Sequence, residues 1–392
     1  MSSLMNSTQL ISDELFNTIN KTVMIPVNIF ITILGILNNT VNIVIFTKLA
    51  TTDTMTMSLT ALAVSDVLFC CFTLPNFIIS ALISSGIQIL YNVDLTSLLY
   101  VGFVWQRPLF HKISIAITMF VSCERSLCVV KPFLVKRIFT RRRVIAVLVG
   151  IFCILTALFM PVYVSGGLVK QKTPNGSDYL FVMNLSPERA TAEHIVHLLS
   201  GFSLVLTTHI AIVISSVFMA VGLRRHQRFR QKVSIARPGN KPKQKEHDPQ
   251  HIKTGTPNTA QGPCTVAKTT DSRSNAGFQQ QTGEVNMKPG LPKTMSQDSS
   301  SKEHRLMKTV FTLAVIHVIL NSPVLIHYVF YYLQPDFRVR RRFGNLYLLS
   351  VDIAASLHCL NGMVNIFVYL VLNTKFRLMF KDMFCCGSSK SN

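Results

Sequence analysis

Residues 107–132 read RPLFHKISIAITMFVSCERSLCVVKP, and this stretch decides the architecture of the chain. At about 100° per residue of α-helix, positions 107, 111, 114, 118 and 125 fall close to one azimuth. They are Arg107, His111, Ser114, Thr118 and Arg125. The residues between them are mostly apolar, and the run exceeds the roughly 20 residues that a helix needs to cross a bilayer core. A spanning helix that is polar along one whole face cannot turn that face to lipid. It must face the interior of a helix bundle or a water-filled cavity. Glu124 and Arg125 end the stripe, and Pro132 follows.

Six other stretches match this one in length and apolarity. Together they run roughly over residues 24–47, 56–84, 95–129, 144–166, 194–222, 307–333 and 345–372. The hydrophobic fraction is 49%, mean hydropathy is +0.37 and 15% of residues are charged, more apolar surface than a water-soluble chain of this length can bury. The expected fold is an all-α membrane protein, a seven-transmembrane helix bundle with a short cytoplasmic amphipathic helix. An odd number of spans puts the two termini on opposite sides.

Basic residues set the orientation. They crowd the segment Lys131 to Arg143, the segment after Arg224 and the tail at Lys375, Arg377 and Lys381, whereas the first twenty-odd residues hold a single cation, Lys21. The amino terminus is therefore expected outside, with a first span that inserts without a cleaved signal peptide. The sequons at Asn6, Asn20, Asn175 and Asn184 all fall in segments this topology makes extracellular, so all four are candidate glycosylation sites. A fifth, at Asn38, lies inside the first span and is expected to be silent.

The expected organisation is an extracellular amino-terminal segment at 1–23, five spans within 24–223, a loop at 224–305, two spans within 306–372, and an amphipathic helix with a cytoplasmic tail at 373–392. The loop carries 16 basic and 6 acidic residues, a net of +10 out of the chain's +21. Its richness in Pro, Gly, Ser, Thr, Gln and Lys predicts disorder. Arg224, Arg225, Arg228 and Arg230 are expected to extend the fifth helix against anionic lipid. No zinc-finger spacing or aromatic-interleaved basic sheet accompanies this charge, so nucleic acid is not an expected partner.

The nine cysteines fall inside spans, at their cytoplasmic ends or in the cytosol, and none in an outer loop, so no outer disulfide is expected. Cys385 and Cys386 follow an amphipathic run, Phe376, Arg377, Met379, Phe380 and Phe384, next to the membrane. Such a pair suits palmitoylation, or serves as plain cytosolic thiols.

Other spans answer the stripe of the third. Asn39 lies in the first, Asp66 in the second, His317 and Asn321 in the sixth, and His358, Asn361, Asn365 and Tyr369 at helical spacing in the seventh. One buried Asn or Ser commonly joins helices and nothing more. A set that includes an intramembrane carboxylate points to a functional site.

In order along the chain come Asn39, the run Leu62 to Asp66, Glu124-Arg125-Ser126 with Pro132 seven residues past Arg125, Pro323, and Asn365-Ile-Phe-Val-Tyr369. In these motifs the chain resembles the rhodopsin-like G-protein-coupled receptors, from the first helix to the short eighth, excluding the amino terminus and the long third cytoplasmic loop. Within that family the wording ERSLCVVKPFLVKRIFT and the turn Asn321-Ser-Pro323 are most similar to molluscan chemosensory receptors and invertebrate FMRFamide-type neuropeptide receptors. The resemblance implies a plasma-membrane, multi-pass receptor that converts binding of an extracellular ligand into activation of a heterotrimeric G protein.

Site residues follow from the same resemblance. Asn39, Asp66, Ser114, Asn361 and Asn365 match a sodium and water pocket, with Asp66 and Ser114 as ligands of a sodium ion; no other cofactor is expected. Glu124, Arg125, Glu303 and Tyr369 match the switch that faces the G protein, with Glu303 placed to hold Arg125 in the resting state. Arg107, His111, Asn321, Tyr328 and Asp352 form the expected ligand set. Arg107 argues against a biogenic amine and for a small molecule or peptide with an anionic or hydrogen-bond-accepting group, though an Arg107–Asp352 pair could equally serve only to tie two helices. Arg338, Arg340, Arg341 and Arg342 would make the mouth basic.

Departures from the pattern are as specific. Tyr100 stands where the family carries its disulfide cysteine, Asn321 replaces the sixth-helix Trp, Ile366 replaces the seventh-helix Pro, and the fourth and fifth helices lack their usual Trp and Pro. A seven-helix scavenger that does not signal, or a transporter, are the competing functions. No inverted repeat or pair of broken half-helices supports transport, and no nucleophile–base pair or metal spacing supports an enzyme.

Overall fold

The computed structural model describes residues 9–49, 54–172, 179–235, 295–339 and 341–384. Within them lie seven helices long and apolar enough to cross a membrane: Asp13–Lys48, Thr54–Ser84, Leu95–Val130, Arg141–Val164, Arg189–Gly222, Met307–Leu333 and Gly344–Leu372. The first begins where Ser12 accepts a hydrogen bond from the Leu15 amide at 3.2 Å, with Asp13 and Glu14 in the positive first turn. The third begins where Asp94 accepts from the Ser97 amide at 2.8 Å. Proline punctuates the helices too: Pro75, Pro161 and Pro323 lie inside the second, fourth and sixth, where each lacks the N–H that a helix hydrogen bond needs.

The third helix is the hub. Of its most apolar window 56% is buried, against 22% for the fourth, whose outer face exposes Ile154, Val147 and Val149. Phe30, Ile319, Phe330, Phe367 and Val371 continue this apolar belt around the bundle. In a membrane the belt faces lipid tails, so burial inside the bundle marks the residues that the fold reserves for itself.

One end of the bundle is covered by a small sheet. β1 (Ile89–Leu90) and β2 (Val93–Asp94) form a hairpin closed by Tyr91 and Asn92, both at positive φ, as a two-residue turn of this hand requires. β2 pairs in parallel with β4 (Tyr179–Leu185), and β4 pairs antiparallel with β3 (Gly166–Lys172), giving the order β1-β2-β4-β3. At the opposite end, Phe376 of the short helix Thr374–Phe384 is fully buried against Phe46 and Tyr369, with ring centroids 5.3 Å from each.

Three boundaries differ from the sequence reading. The first helix starts at Asp13, because the Ser12 cap and a run without Pro or Gly let it rise beyond its apolar span. Asn20 therefore sits in a π-helical turn with its Oδ1 buried. The fifth and sixth helices run to Ile235 and from Met295, so the extension expected over Arg224 to Arg230 continues to Ile235, and residues 295–305, placed above in the loop, are helical. Arg, Gln, Glu and Lys are good helix formers, and helix continues past an apolar span where such residues follow it. Asn6, Asn175, Arg340, Cys385 and Cys386 lie outside the described residues, as does the Glu303 side chain, while Asn184 is exposed on β4.

Candidate functional site

Beneath the sheet the helices separate around a cavity of about 800 Å³. Its walls include Phe69, Trp105, Val324, Tyr328, Tyr347 and Ala355, and its polar groups include Arg107, His111, Lys112, His197, His327 and Asp352. The polar stripe of the third helix supplies Arg107 and His111, as its azimuth requires. Arg107 Nη1 stands 4.0 Å from Asp352 Oδ1 and makes no hydrogen bond among the described residues. The pair is thus an electrostatic neighbour rather than a bidentate clamp, and the guanidinium fork keeps donors free. Asp66 and Asp352 contribute carboxylates from the second and seventh helices to one interior.

Four imidazole or amide side chains form a buried layer that acts as the floor, of which His111 lines the cavity itself. Asn321 Oδ1 lies 3.1 Å from His111 Nε2 and 3.3 Å from His358 Nδ1, while its amide nitrogen donates to the His317 carbonyl at 3.1 Å. The rings of His111 and His358 are 4.0 Å apart by centroid. An amide oxygen can only accept, so this geometry puts a proton on His111 Nε2 and on His358 Nδ1. His358 Nε2 is then a bare acceptor 4.0 Å from Asp66 Oδ1, with no hydrogen-bond partner among the described residues. Two acceptors that face each other across 4 Å suit a cation or a shared proton between them.

Below the floor lies the Asp66 pocket. Ser114 Oγ donates to Asp66 Oδ1 at 2.6 Å and Asn365 Nδ2 to Oδ2 at 3.4 Å, so the structure brings the third and seventh helices onto one carboxylate. Gly362 opens the space: a Cβ there would lie 3.1 Å from Asn39 Nδ2 and 3.3 Å from Asp66 Oδ2. Asn361 is buried beside the same segment, while Asn39 turns its amide to the Gly35 carbonyl at 3.1 Å instead of to Asp66. These oxygen donors would suit a hard monovalent ion such as sodium, and the buried charge of Asp66 gives the reason for one.

At the far end Arg125 Nη2 donates to Glu124 Oε1 at 2.9 Å, and Thr54 Oγ1 donates to the same oxygen at 2.9 Å. Glu124 is 1% exposed, so the pair is held by the helix ends and not by water. Tyr369 is packed between Phe46 and Phe376.

Two features escaped the sequence reading. Lys112, 1% exposed, places its ammonium 4.8 Å from the centre of the Tyr328 ring; its signal was a lysine directly after His111 in the middle of a span. The second is a cluster near the sheet. Tyr100 donates to Glu193 Oε1, Arg189 Nε donates to that same oxygen at 2.6 Å, and Arg189 Nη1 donates to the Val162 carbonyl. It joins the third, fourth and fifth helices at Tyr100, the residue that stands in place of the disulfide cysteine of the family the chain resembles.

The family model described as the 7 transmembrane receptor (rhodopsin family) matches residues 37–369. A search of curated proteins found no match to the chain.

Proposed function

The chain belongs to the rhodopsin family of seven-transmembrane receptors, which are receptors and not enzymes, and from that premise we propose that it carries an extracellular chemical signal to a heterotrimeric G protein across the plasma membrane. The observation that carries this reading is the succession of polar groups that the helices enclose from the cavity inward: Arg107 and Asp352, then His111, Asn321 and His358, then Asp66, Ser114 and Asn365. A line of buried polar groups is costly in a membrane and is kept where two arrangements of it differ little in energy. In this reading the sheet end is extracellular and the Arg125 end cytoplasmic, as the basic residues of the loops imply.

Arg107 gives the cavity wall a group suited to a ligand with an anionic or accepting part, since its Nη1 has Asp352 at 4.0 Å only. That chemistry fits a chemosensory cue or a neuropeptide with an acidic or amide end. The switch set is Glu124, Arg125, Glu303 and Tyr369, and Asp66 with Ser114 holds sodium in the resting state. Cys385 and Cys386 anchor the tail by palmitoylation.

The test is nucleotide exchange on purified Gα subunits added to membranes that contain the receptor. Wild type is expected to speed exchange on one Gα class, and Arg125→Ala to abolish that acceleration at matched receptor amount. Exchange that is the same with and without the receptor across every Gα class would favour a seven-helix scavenger instead.

A further inference from the structure

We infer that Lys112 is the anchor for the head group of the activating ligand, and that this ligand is a small organic monoanion: a carboxylate on an apolar or aromatic body. The inference deepens the reading of the cavity as the ligand site and rests on it.

Charge bookkeeping around the cavity leads to Lys112. Glu193 is taken by Arg189 at 2.6 Å, and Asp352 stands opposite Arg107 at 4.0 Å. Of the cations that line the cavity, Arg107 thus has an acid opposite it and Lys112 has none. Among the described residues no carboxylate lies within 4.0 Å of its ammonium, which is 4.8 Å from the Tyr328 ring centre. The attraction of a ring face for an ammonium falls well short of what burying the ion costs. One negative charge delivered by the ligand would offset the remainder.

Depth and shape set the rest of the ligand. Lys112 is five residues, about 7.5 Å, further along the helix than Arg107. A head group that reaches it must pass Arg107 and bring its body between Phe69, Trp105, Tyr328 and Tyr347. A cavity of about 800 Å³ takes a compact molecule of that kind whole. The Tyr328 ring that flanks the ammonium is itself seated on Gly201, where any Cβ would collide with it.

The experiment uses full-length receptor purified in detergent and read by its thermal midpoint. Without ligand, Lys112→Met keeps the length of the side chain and removes the unpaired charge, so the midpoint should rise by about 2 °C or more. A fall would show that Lys112 holds the bundle together, and would overturn the inference. The probes are 3-phenylpropionate, 3-phenylpropionamide and sodium chloride against sodium gluconate. Wild type should be stabilised by the carboxylate more than by the amide, by at least tenfold in the concentration needed, and Lys112→Met should lose that preference while Lys112→Arg keeps it. Equal response to carboxylate and amide, or a chloride effect equal to that of the carboxylate, would overturn it. Preference retained in Lys112→Met but lost in Arg107→Ala would sink the Lys112 anchor and leave the Arg107 reading standing. Loss in neither variant would sink both.

Discussion

Asp66 and Asn321 concentrate the cost of this interior. Asp66 is 1% exposed and receives donors from Ser114 and Asn365, which leaves its charge incompletely balanced. A sodium ion beside it should stabilise the receptor. Replacing choline by sodium at equal ionic strength is expected to raise the thermal midpoint of the wild type by a few degrees, about 1 kcal/mol of linkage, and to leave Asp66→Asn unmoved. Equal shifts in both proteins would remove the ion from the pocket. Asn321 binds three histidines at once, so Asn321→Leu strands the N–H groups of His111 and His358. Each buried orphan costs about 1–3 kcal/mol. The midpoint of Asn321→Leu should drop by several degrees, whereas a drop of under one degree would show that water replaces the amide. In the sequence, Asp66 and Asn321 were readable as intramembrane polar residues; that one amide gathers rings from the third, sixth and seventh helices was not, because no local pattern relates residues 111, 321 and 358.

Among the elements, the junction of the third, fourth and fifth helices carries a network in place of a covalent bridge. Tyr100, Glu193 and Arg189 bind one another, and Arg189 also reaches the Val162 carbonyl. Arg189 is 6% exposed. Removing one member of a buried charged network is expected to cost about 3–5 kcal/mol. Arg189→Ala should therefore lower the thermal midpoint far more than Arg137→Ala, whose side chain is exposed. Membrane-impermeant reductant should leave the wild-type midpoint unchanged, since no cysteine falls in an outer loop of the expected topology. A large loss on reduction would reveal a disulfide that holds these helices. The absence of outer-loop cysteines was legible residue by residue. Its replacement was hidden, since no local pattern shows that the fold brings Arg189 and Glu193 against Tyr100.

For the whole molecule, orientation and glycosylation stand or fall together. In the proposed orientation Asn184 is exposed on β4 on the extracellular side, whereas Asn20 is helical with its Oδ1 buried at the cavity wall. Enzymatic deglycosylation of receptor from expressing cells should lower its apparent mass, Asn184→Gln should reduce the shift, and Asn20→Gln should leave it alone. An epitope tag placed in the segment 236–294 that stained unpermeabilised cells would reverse the topology. The amino-acid sequence by itself determined the seven spans, the polar face of the third helix and the family motifs, because burial in lipid imposes length and periodicity that read off locally. Only the tertiary structure decided which buried charges remain unbalanced. Arg107 finds Asp352 and Arg189 finds Glu193, while Lys112 finds an aromatic ring. That outcome depends on how distant helices are set against one another, and an ion pair between helices leaves no periodic trace in the chain.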